Sequence, residues 1–165
     1  MIKQEIEEEL ETTYSRAIAL IESISEADYP LPTNNPAWTV GDILFHITLG
    51  PQALAFEAWM ITHMRGLFQF GMRHFPSRLF NRVNASFGQQ GNRVSRQGLI
   101  KAYGKAHAVI RSRLRRTQEE DFAKSVVYPA DFVSELEGEV TVERIFRYVT
   151  EHFELHERQL AVPRN

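Results

Sequence analysis

Two histidines near the end of the chain have a spacing that suits metal binding. His152 and His156 are four residues apart in a segment that predicts a helix, so their rings project from one face, one turn apart. Both rings can then reach a single ion, as in other helical histidine pairs with this spacing. The alternatives are two hydrogen-bonded core imidazoles, or a helix rotated so that both rings face solvent.

The same two histidines fall on the apolar stripe of their helix. Ile145, Val149, His152, His156 and Leu160 follow one another at spacings of four, three, four and four. An imidazole buried without a partner costs on the order of 1–3 kcal/mol, so two of them on a core face need compensation. A metal ion is the most economical partner. Because the chain has no cysteine, its ligands must be His, Asp or Glu.

His46 supplies the third ligand in this interpretation. It lies two turns into a second predicted helix, at whose start Thr39 and Asp42 have the spacing of a capping box. Asp42 stands one turn before His46, so its carboxylate has two candidate roles. It either caps the helix or accepts a hydrogen bond from the other ring nitrogen of His46. The spacing favours the capping role.

Four amphipathic segments must position these histidines. Their apolar spacings predict helices over about 3–25, 39–64, 95–118 and 141–161. Within the second segment, Pro51 predicts a kink or a restart. The predicted fold class is therefore all-α, a four-helix bundle in a single domain over residues 1–165.

A long connection separates the second and third predicted helices. Residues 65–94 are rich in glycine, arginine and phenylalanine, and they predict one short helical piece at most. Their length exceeds the usual helix–helix loop, which favours a functional role. A crossover of this length also allows the helices on either side of it to run parallel.

Charge is segregated along the chain. Residues 1–57 carry ten acids and two bases, residues 65–116 carry twelve bases and no acid, and residues 119–165 carry eleven acids and five bases. This pattern is compatible with a pocket for an anionic small molecule, or with basic segments packing against acidic ones in the fold or across a dimer. Nucleic-acid binding is disfavoured, because the arginines alternate with core residues and no reader motif accompanies them.

The sequence predicts that the protein is neither membrane-spanning nor secreted. No apolar run approaches the ~20 residues of a membrane-spanning helix. The first residues are acidic and lack the apolar stretch of a signal peptide. We expect a cytoplasmic protein.

Together, the motifs resemble those of the DinB/YfiT-like superfamily of metal-binding four-helix bundles. The resemblance spans nearly the whole chain and rests on Trp38-Thr39-x-x-Asp42-x-x-x-His46 and on His152-x-x-x-His156-x-x-Gln159-Leu160. A further segment, Phe80-Asn81-x-x-Asn84, precedes an arginine-rich helix. It resembles the branch related to thiol-dependent maleylpyruvate isomerases and thiol S-transferases.

The resemblance implies a metal site and a class of chemistry. It implies that His46, His152 and His156 hold a divalent ion of the zinc or nickel type, with coordination positions left open for water or substrate. It also implies frequent homodimers and low-molecular-weight thiols as co-substrates.

Three functions follow from such a site. The first is thiol-dependent S-transferase or isomerase-type chemistry on a small electrophile, in which Arg82 and Arg93 clamp an anionic thiol or substrate. The second is metal-dependent hydrolysis, for which Glu57, Glu151 and His107 are the candidate general bases. The third is a non-enzymatic metal-binding stress-response protein.

Overall fold

The computed structural model describes residues 2–74, 91–130 and 135–160, and this part of the chain is predominantly helical. It contains five helices and one hairpin: α1 Ile2–Ser23, α2 Val40–His63, α3 Arg65–His74, α4 Arg96–Arg116, β1 Ser125–Tyr128, β2 Gly138–Thr141 and α5 Val142–Gln159. Short 3-10 turns lie at Glu26–Asp28, Gly91–Arg93 and Glu119–Asp121.

Helices α1, α2, α4 and α5 form the predicted four-helix bundle. Helix α1 packs between α4 and α5, and α2 packs between the same two helices from the opposite side. Helix α3 lies in the connection between α2 and α4, where the sequence predicts one short helical piece. The predicted fold class is therefore confirmed.

Contacts between side chains give the helix directions. Arg147 bonds Glu9 and Arg16 bonds Glu154, so α1 and α5 run parallel. Arg111 bonds Glu7 near the start of α1, so α4 runs antiparallel to α1.

Helix α2 runs antiparallel to α5. Trp38, just before α2, packs on His156 near the end of α5, whereas Gly50, further along α2, lies against His152. Helices α2 and α4 therefore run parallel, as the long connection between them allows.

The predicted apolar stripes are the core. They form two packed clusters, one around the hairpin and the other around the first turns of α2. Each fully buried Leu, Ile or Phe side chain stabilises the fold by about 1.5–3 kcal/mol. The fully buried stripe residues include Ile6, Leu10, Ile21, Ile43, Ile47, Leu99, Ile110, Ile145 and Phe153.

Hydrogen-bonding side chains start the helices where the sequence predicts. Thr39 and Asp42 form a complete capping box at the start of α2. Ser95 accepts a hydrogen bond from the N–H of Gly98, and Thr141 accepts one from the N–H of Arg144. These caps satisfy N–H groups that have no partner within the helix.

Of the kink or restart predicted at Pro51, the restart is excluded, because α2 continues through the proline as one helix. A proline removes only one helical hydrogen bond, to the carbonyl of Ile47. The turns on both sides are held by buried apolar residues, Ile47 before the proline and Leu54 after it. Tertiary packing therefore offsets the lost bond.

The sequence of residues 119–140 predicts irregular structure with one short extended piece at 126–133, whereas the structure has a two-stranded hairpin in this region. Strands β1 and β2 pair antiparallel, with Val126 opposite Val140. Val126, Tyr128 and Val140 are buried against the bundle, whereas Val127 points outward. Four-residue strands give too short an alternation to stand out in the sequence.

Gly91 fixes the approach of the 3-10 turn to the start of α2. Its N–H donates a hydrogen bond to Asp42 Oδ1 over 3.2 Å. A Cβ at this position would lie 1.8 Å from the carbonyl oxygen of Gly41, which no small shift relieves. Only glycine fits here.

We therefore expect Gly91→Ala to lower the free energy of unfolding by about 1–3 kcal/mol, through steric overlap with the backbone of α2. Urea denaturation measures this change. Gly71→Ala is the matched control, since nothing lies within 4 Å of a Cβ there. Equal stability of the two variants would contradict the close approach at Gly91.

Candidate metal centre

Helices α2 and α5 bring the three predicted histidines together. The Nε2 atoms of His46 and His152 lie 3.0 Å apart. The ring centres of His46 and His156 are separated by 4.5 Å, and those of His152 and His156 by 4.6 Å. One ring nitrogen from each residue lies within 4.8 Å of the other two. We call these three residues the histidine triad.

His156 is oriented by a short chain of hydrogen bonds. Its Nδ1 pairs with Gln159 Oε1 over 3.0 Å, and the same oxygen accepts a longer bond from the side-chain amide of Asn35. Because Gln159 Oε1 can only accept, Nδ1 carries the proton and Nε2 presents its lone pair. Gln159 thus fixes the tautomer that suits ligation.

Trp38 holds two rings of the triad from the side. Its ring centre lies 4.5 Å from that of His46 and 5.5 Å from that of His156. The indole is itself buried in the core cluster around α2. The large apolar side chains of Trp38 and Trp59 predict that both are core anchors, and for Trp38 this is confirmed. Trp59 is only partly buried and stacks on Phe56 instead.

His152 reaches the triad because residue 50 has no side chain. A Cβ at Gly50 would lie 2.7 Å from Nδ1 of His152 and 2.8 Å from its Cε1. The imidazole therefore lies directly on the backbone of α2. The sequence prediction missed this role of Gly50, although a glycine before a proline inside a helix is a signal of it.

All three imidazoles are held neutral. Burial, with the nearby His156 as a smaller cause, lowers the pKa of His46 to about 3. Burial and the two neighbouring rings hold the pKa of His152 well below its ordinary value. Burial also lowers the pKa of His156, although its bond to Gln159 opposes that effect. Neutral imidazole is the form that ligates metals.

The arrangement fits a divalent ion. Nitrogen ligands about 2.0–2.1 Å from a tetrahedral ion lie about 3.3 Å from one another, close to the 3.0 Å between His46 Nε2 and His152 Nε2. Two facing Nε2 atoms of neutral rings can share only one proton, whereas an ion accepts both lone pairs.

Asp42 caps its helix and does not orient His46. Its Oδ2 accepts hydrogen bonds from the backbone and hydroxyl of Thr39, and its Oδ1 accepts one from Gly91. Buried Nδ1 of His46 has no hydrogen-bond partner in the described part of the chain. The capping role favoured by the sequence is the one observed.

Of the two predicted arginine clamps, the structure describes only Arg93. Arg82 lies outside the described residues. Arg93 is exposed in the 3-10 turn that Gly91 anchors at the start of α2, and no hydrogen bond or ion pair joins it to a described residue. Its role as an anion clamp stays a prediction.

The three candidate general bases contact other partners. Glu57 accepts a hydrogen bond of 2.6 Å from the Tyr128 hydroxyl, and Glu151 pairs with Arg144. His107 is buried against Tyr14 on α1, with ring centres 4.3 Å apart. None of the three forms a hydrogen bond with a triad histidine within the described ranges.

Part of the basic segment pairs with the acidic first helix. Arg111 forms ion pairs of 2.9 Å with Glu7 and 2.8 Å with Glu11, and Arg115 also approaches Glu7. This supports the expectation that charge segregation reflects packing within the fold.

Among the described helices, none is long and apolar enough to cross a membrane.

The chain belongs to the DinB superfamily, whose family model matches residues 9–160. This confirms the resemblance carried by the motifs around His46 and His156. No curated protein matches the chain in sequence.

Two solved structures share the fold. They are the mycothiol-dependent maleylpyruvate isomerase and a mutant of it in which one histidine is replaced by alanine. Each superposes with a TM-score of 0.71 at 11% sequence identity, covering 99% of this chain and 62% of the other. The chain thus spans about three fifths of that enzyme's length, and the likeness at this identity is one of fold.

The burial of the Glu57 carboxyl beside the hairpin can be tested through the pH dependence of the free energy of unfolding. Burial raises the pKa of Glu57, and the hydrogen bond from Tyr128 offsets this only in part. A carboxyl with a raised pKa stabilises the fold below its ordinary value of 4.5, and this stability is lost as pH rises through the folded-state pKa.

We therefore expect Glu57→Gln, which keeps an acceptor for Tyr128, to be more stable than the wild type at pH 7 and to lose this advantage near pH 4. Urea unfolding at several pH values measures the difference. The exposed Glu137 supplies the control, since Glu137→Gln removes the same charge from a solvated position and should not stabilise the fold at pH 7. An advantage for Glu57→Gln that is constant with pH would show that Glu57 is not desolvated.

Proposed function

We propose that the protein is a divalent-metal-dependent enzyme whose ion is held by His46, His152 and His156, and that it carries out thiol-dependent S-transferase or isomerase-type chemistry on a small electrophile. The observation that carries the proposal is the convergence of three neutral imidazoles in the bundle interior. Membership in the DinB superfamily supports it.

Each part of the site has a task in this proposal. A divalent ion held by these three neutral ligands would keep its full charge and would lower the pKa of a thiol that binds to it. Gln159 keeps the proton of His156 on Nδ1, and Trp38 limits the rotation of His46. Gly50 admits His152 to the centre.

The thiol comes from a small molecule in this proposal, because the chain has no cysteine. The solved structures with the shared fold are of a mycothiol-dependent maleylpyruvate isomerase, which supports a thiol as co-substrate. Arg93 is exposed near the start of α2. Among the residues that the structure describes, it is the candidate for binding a carboxylate of that thiol or of the electrophile. The family resemblance further implies a homodimer, which sedimentation tests.

Hydrolysis is less well supported by the geometry. It requires a general base within hydrogen-bond reach of the water that it activates. Glu57 and Glu151 are engaged by Tyr128 and Arg144, and His107 lies on the side of α1. A closed metal site that exchanges no ligand would instead support the non-enzymatic function.

The first test is metal content. We expect about one divalent ion per chain in the wild-type protein, because three ligands from one chain define one site. The double variant His152→Ala/His156→Ala should lose it. Elemental analysis after reconstitution measures both, and exposed His63 and His74 supply the control variant His63→Ala/His74→Ala, which should retain the ion. Absence of metal from the reconstituted wild type would refute the site.

The second test addresses the thiol. In the cobalt(II)-loaded protein, glutathione should bind with release of a proton and change the visible spectrum, because a metal-bound thiol ionises near neutral pH. S-methylglutathione has the same carboxylates but no ionisable thiol, so it should leave the spectrum unchanged. Equal responses to the two compounds, or none, would contradict a thiol co-substrate while leaving the metal site intact.

The third test addresses the approach of His152. A methyl group at residue 50 must displace the imidazole, so Gly50→Ala should weaken cobalt(II) binding about tenfold or more. Gly104→Ala is the control, because a Cβ there meets only the Tyr14 hydroxyl at an ordinary 3.6 Å. Unchanged affinity in Gly50→Ala would show that the ring is not needed in this position.

A further inference from the structure

A short turn before α2 is fixed to the end of α5. The N–H of Asn34 donates a hydrogen bond to the backbone carbonyl of Gln159 over 2.9 Å. Within the turn, the Thr33 hydroxyl accepts a hydrogen bond from the N–H of Asn35 over 3.1 Å and donates one to the carbonyl of Trp38 over 2.9 Å. These bonds hold the side chain of Asn35 beside that of Gln159.

The amide of Asn35 has one orientation, and a backbone group sets it. The N–H of Ala37 donates a hydrogen bond of 3.1 Å to Asn35 Oδ1. Because a backbone N–H can only donate, the atom that faces it must be the oxygen of the amide. The Nδ2 group of Asn35 therefore points the other way, and it donates the longer bond, of 3.4 Å, to Gln159 Oε1.

The orientation of Asn35 determines that of Gln159 and then the tautomer of His156. An NH₂ group offers only donors, so Gln159 must turn its oxygen towards Asn35. The same oxygen lies 3.0 Å from Nδ1 of His156. Since that oxygen can only accept, Nδ1 must carry the ring proton, and the lone pair remains on Nε2.

The ring of His156 lies where such a bond is effective. It is buried, so little water competes for Nδ1, and the indole of Trp38 packs on one side of it with ring centres 5.5 Å apart. His46 differs, because its buried Nδ1 has no hydrogen-bond partner in the described ranges. Hydrogen bonds to the second ring nitrogen set the tautomer of a ligating histidine, and their loss typically weakens metal binding about 10–100-fold.

We propose that Asn35 is a positioning residue for the histidine triad. It turns Gln159 so that His156 keeps its proton on Nδ1 and directs the lone pair of Nε2 to the ion. The inference rests on the metal site of the proposed function and not on the thiol chemistry. Asn35 acts only through Gln159.

Two substitutions of Asn35 separate this role from a structural one. Asn35→Asp keeps the acceptor for the N–H of Ala37 and replaces the donor that faces Gln159 by an acceptor. Gln159 must then present its NH₂ group, which requires Nδ1 of His156 to accept and moves the ring proton to Nε2. Asn35→Ala removes both bonds and imposes neither orientation on Gln159.

The tautomer is measured without metal, in the full chain labelled with ¹⁵N-histidine. Long-range ¹H–¹⁵N spectra distinguish the protonated ring nitrogen from the other, and His156→Ala assigns the signals. We expect the proton of His156 on Nδ1 in the wild type and on Nε2 in Asn35→Asp. Asn34→Asp adds the same charge at the exposed neighbouring residue and should leave the proton on Nδ1.

The consequence is measured by cobalt(II) titration. We expect Asn35→Asp to weaken binding at least tenfold, Asn35→Ala to weaken it less, and Asn34→Asp to leave it unchanged. The added negative charge by itself favours a cation, so weaker binding in Asn35→Asp cannot be an effect of charge. Circular dichroism establishes that the variants fold.

Two results would overturn the proposal. One is a proton that stays on Nδ1 of His156 in Asn35→Asp. The other is weaker cobalt(II) binding in Asn35→Ala than in Asn35→Asp, because a residue that only holds the turn through Ala37 is better replaced by Asp. If no form of the protein binds cobalt(II), the proposed metal site fails, whereas the tautomer in the metal-free chain still decides the role of Asn35.

Discussion

The close approach of α5 to α2 at Gly50 is the constraint on which the site depends. Because residue 50 has no side chain, the imidazole of His152 lies on the backbone of α2 and meets His46, which stands one turn earlier. His156, one turn further along α5, then falls beside both rings. The antiparallel packing of two helices thus converts two distant motifs into one cluster. Continuity of α2 through Pro51 is part of this arrangement, since a break there would separate Gly50 from the core residues that follow.

Burial of three imidazoles disfavours the fold unless each finds a partner. His156 has one in Gln159, whereas Nδ1 of His46 has none in the described part of the chain. An unsatisfied buried polar atom costs about 1–3 kcal/mol, and the lowered pKa of His46 expresses the same desolvation. The two core clusters supply the compensating stability from apolar burial. Under the proposed function, an ion bound by the three rings would offset part of this cost.

Much of this arrangement could be predicted from the sequence, because helical periodicity fixes which residues share a face. The buried stripes and the capping box at Thr39 followed from local spacing alone. The features that were missed depend on partners distant in sequence. The role of Gly50 requires the position of His152, and the continuity at Pro51 requires the packing on both sides of it. The hairpin was underestimated, because Val126 and Tyr128 show their inward orientation only against the bundle.

The basic segment divides into two parts once the fold is known. Arg111 and Arg115 are paired with the acidic face of α1, so their charge contributes to packing of the bundle. Arg65 and Arg73 have no such partner in the described residues, although α1 carries ample acid elsewhere on the molecule. Exposed ion pairs contribute little to stability, so leaving these two guanidinium groups unpaired costs the fold little. Gln69, which lies between them on α3, bonds both backbone groups of Val127, so α3 covers the outer edge of β1 and protects it from pairing with another chain.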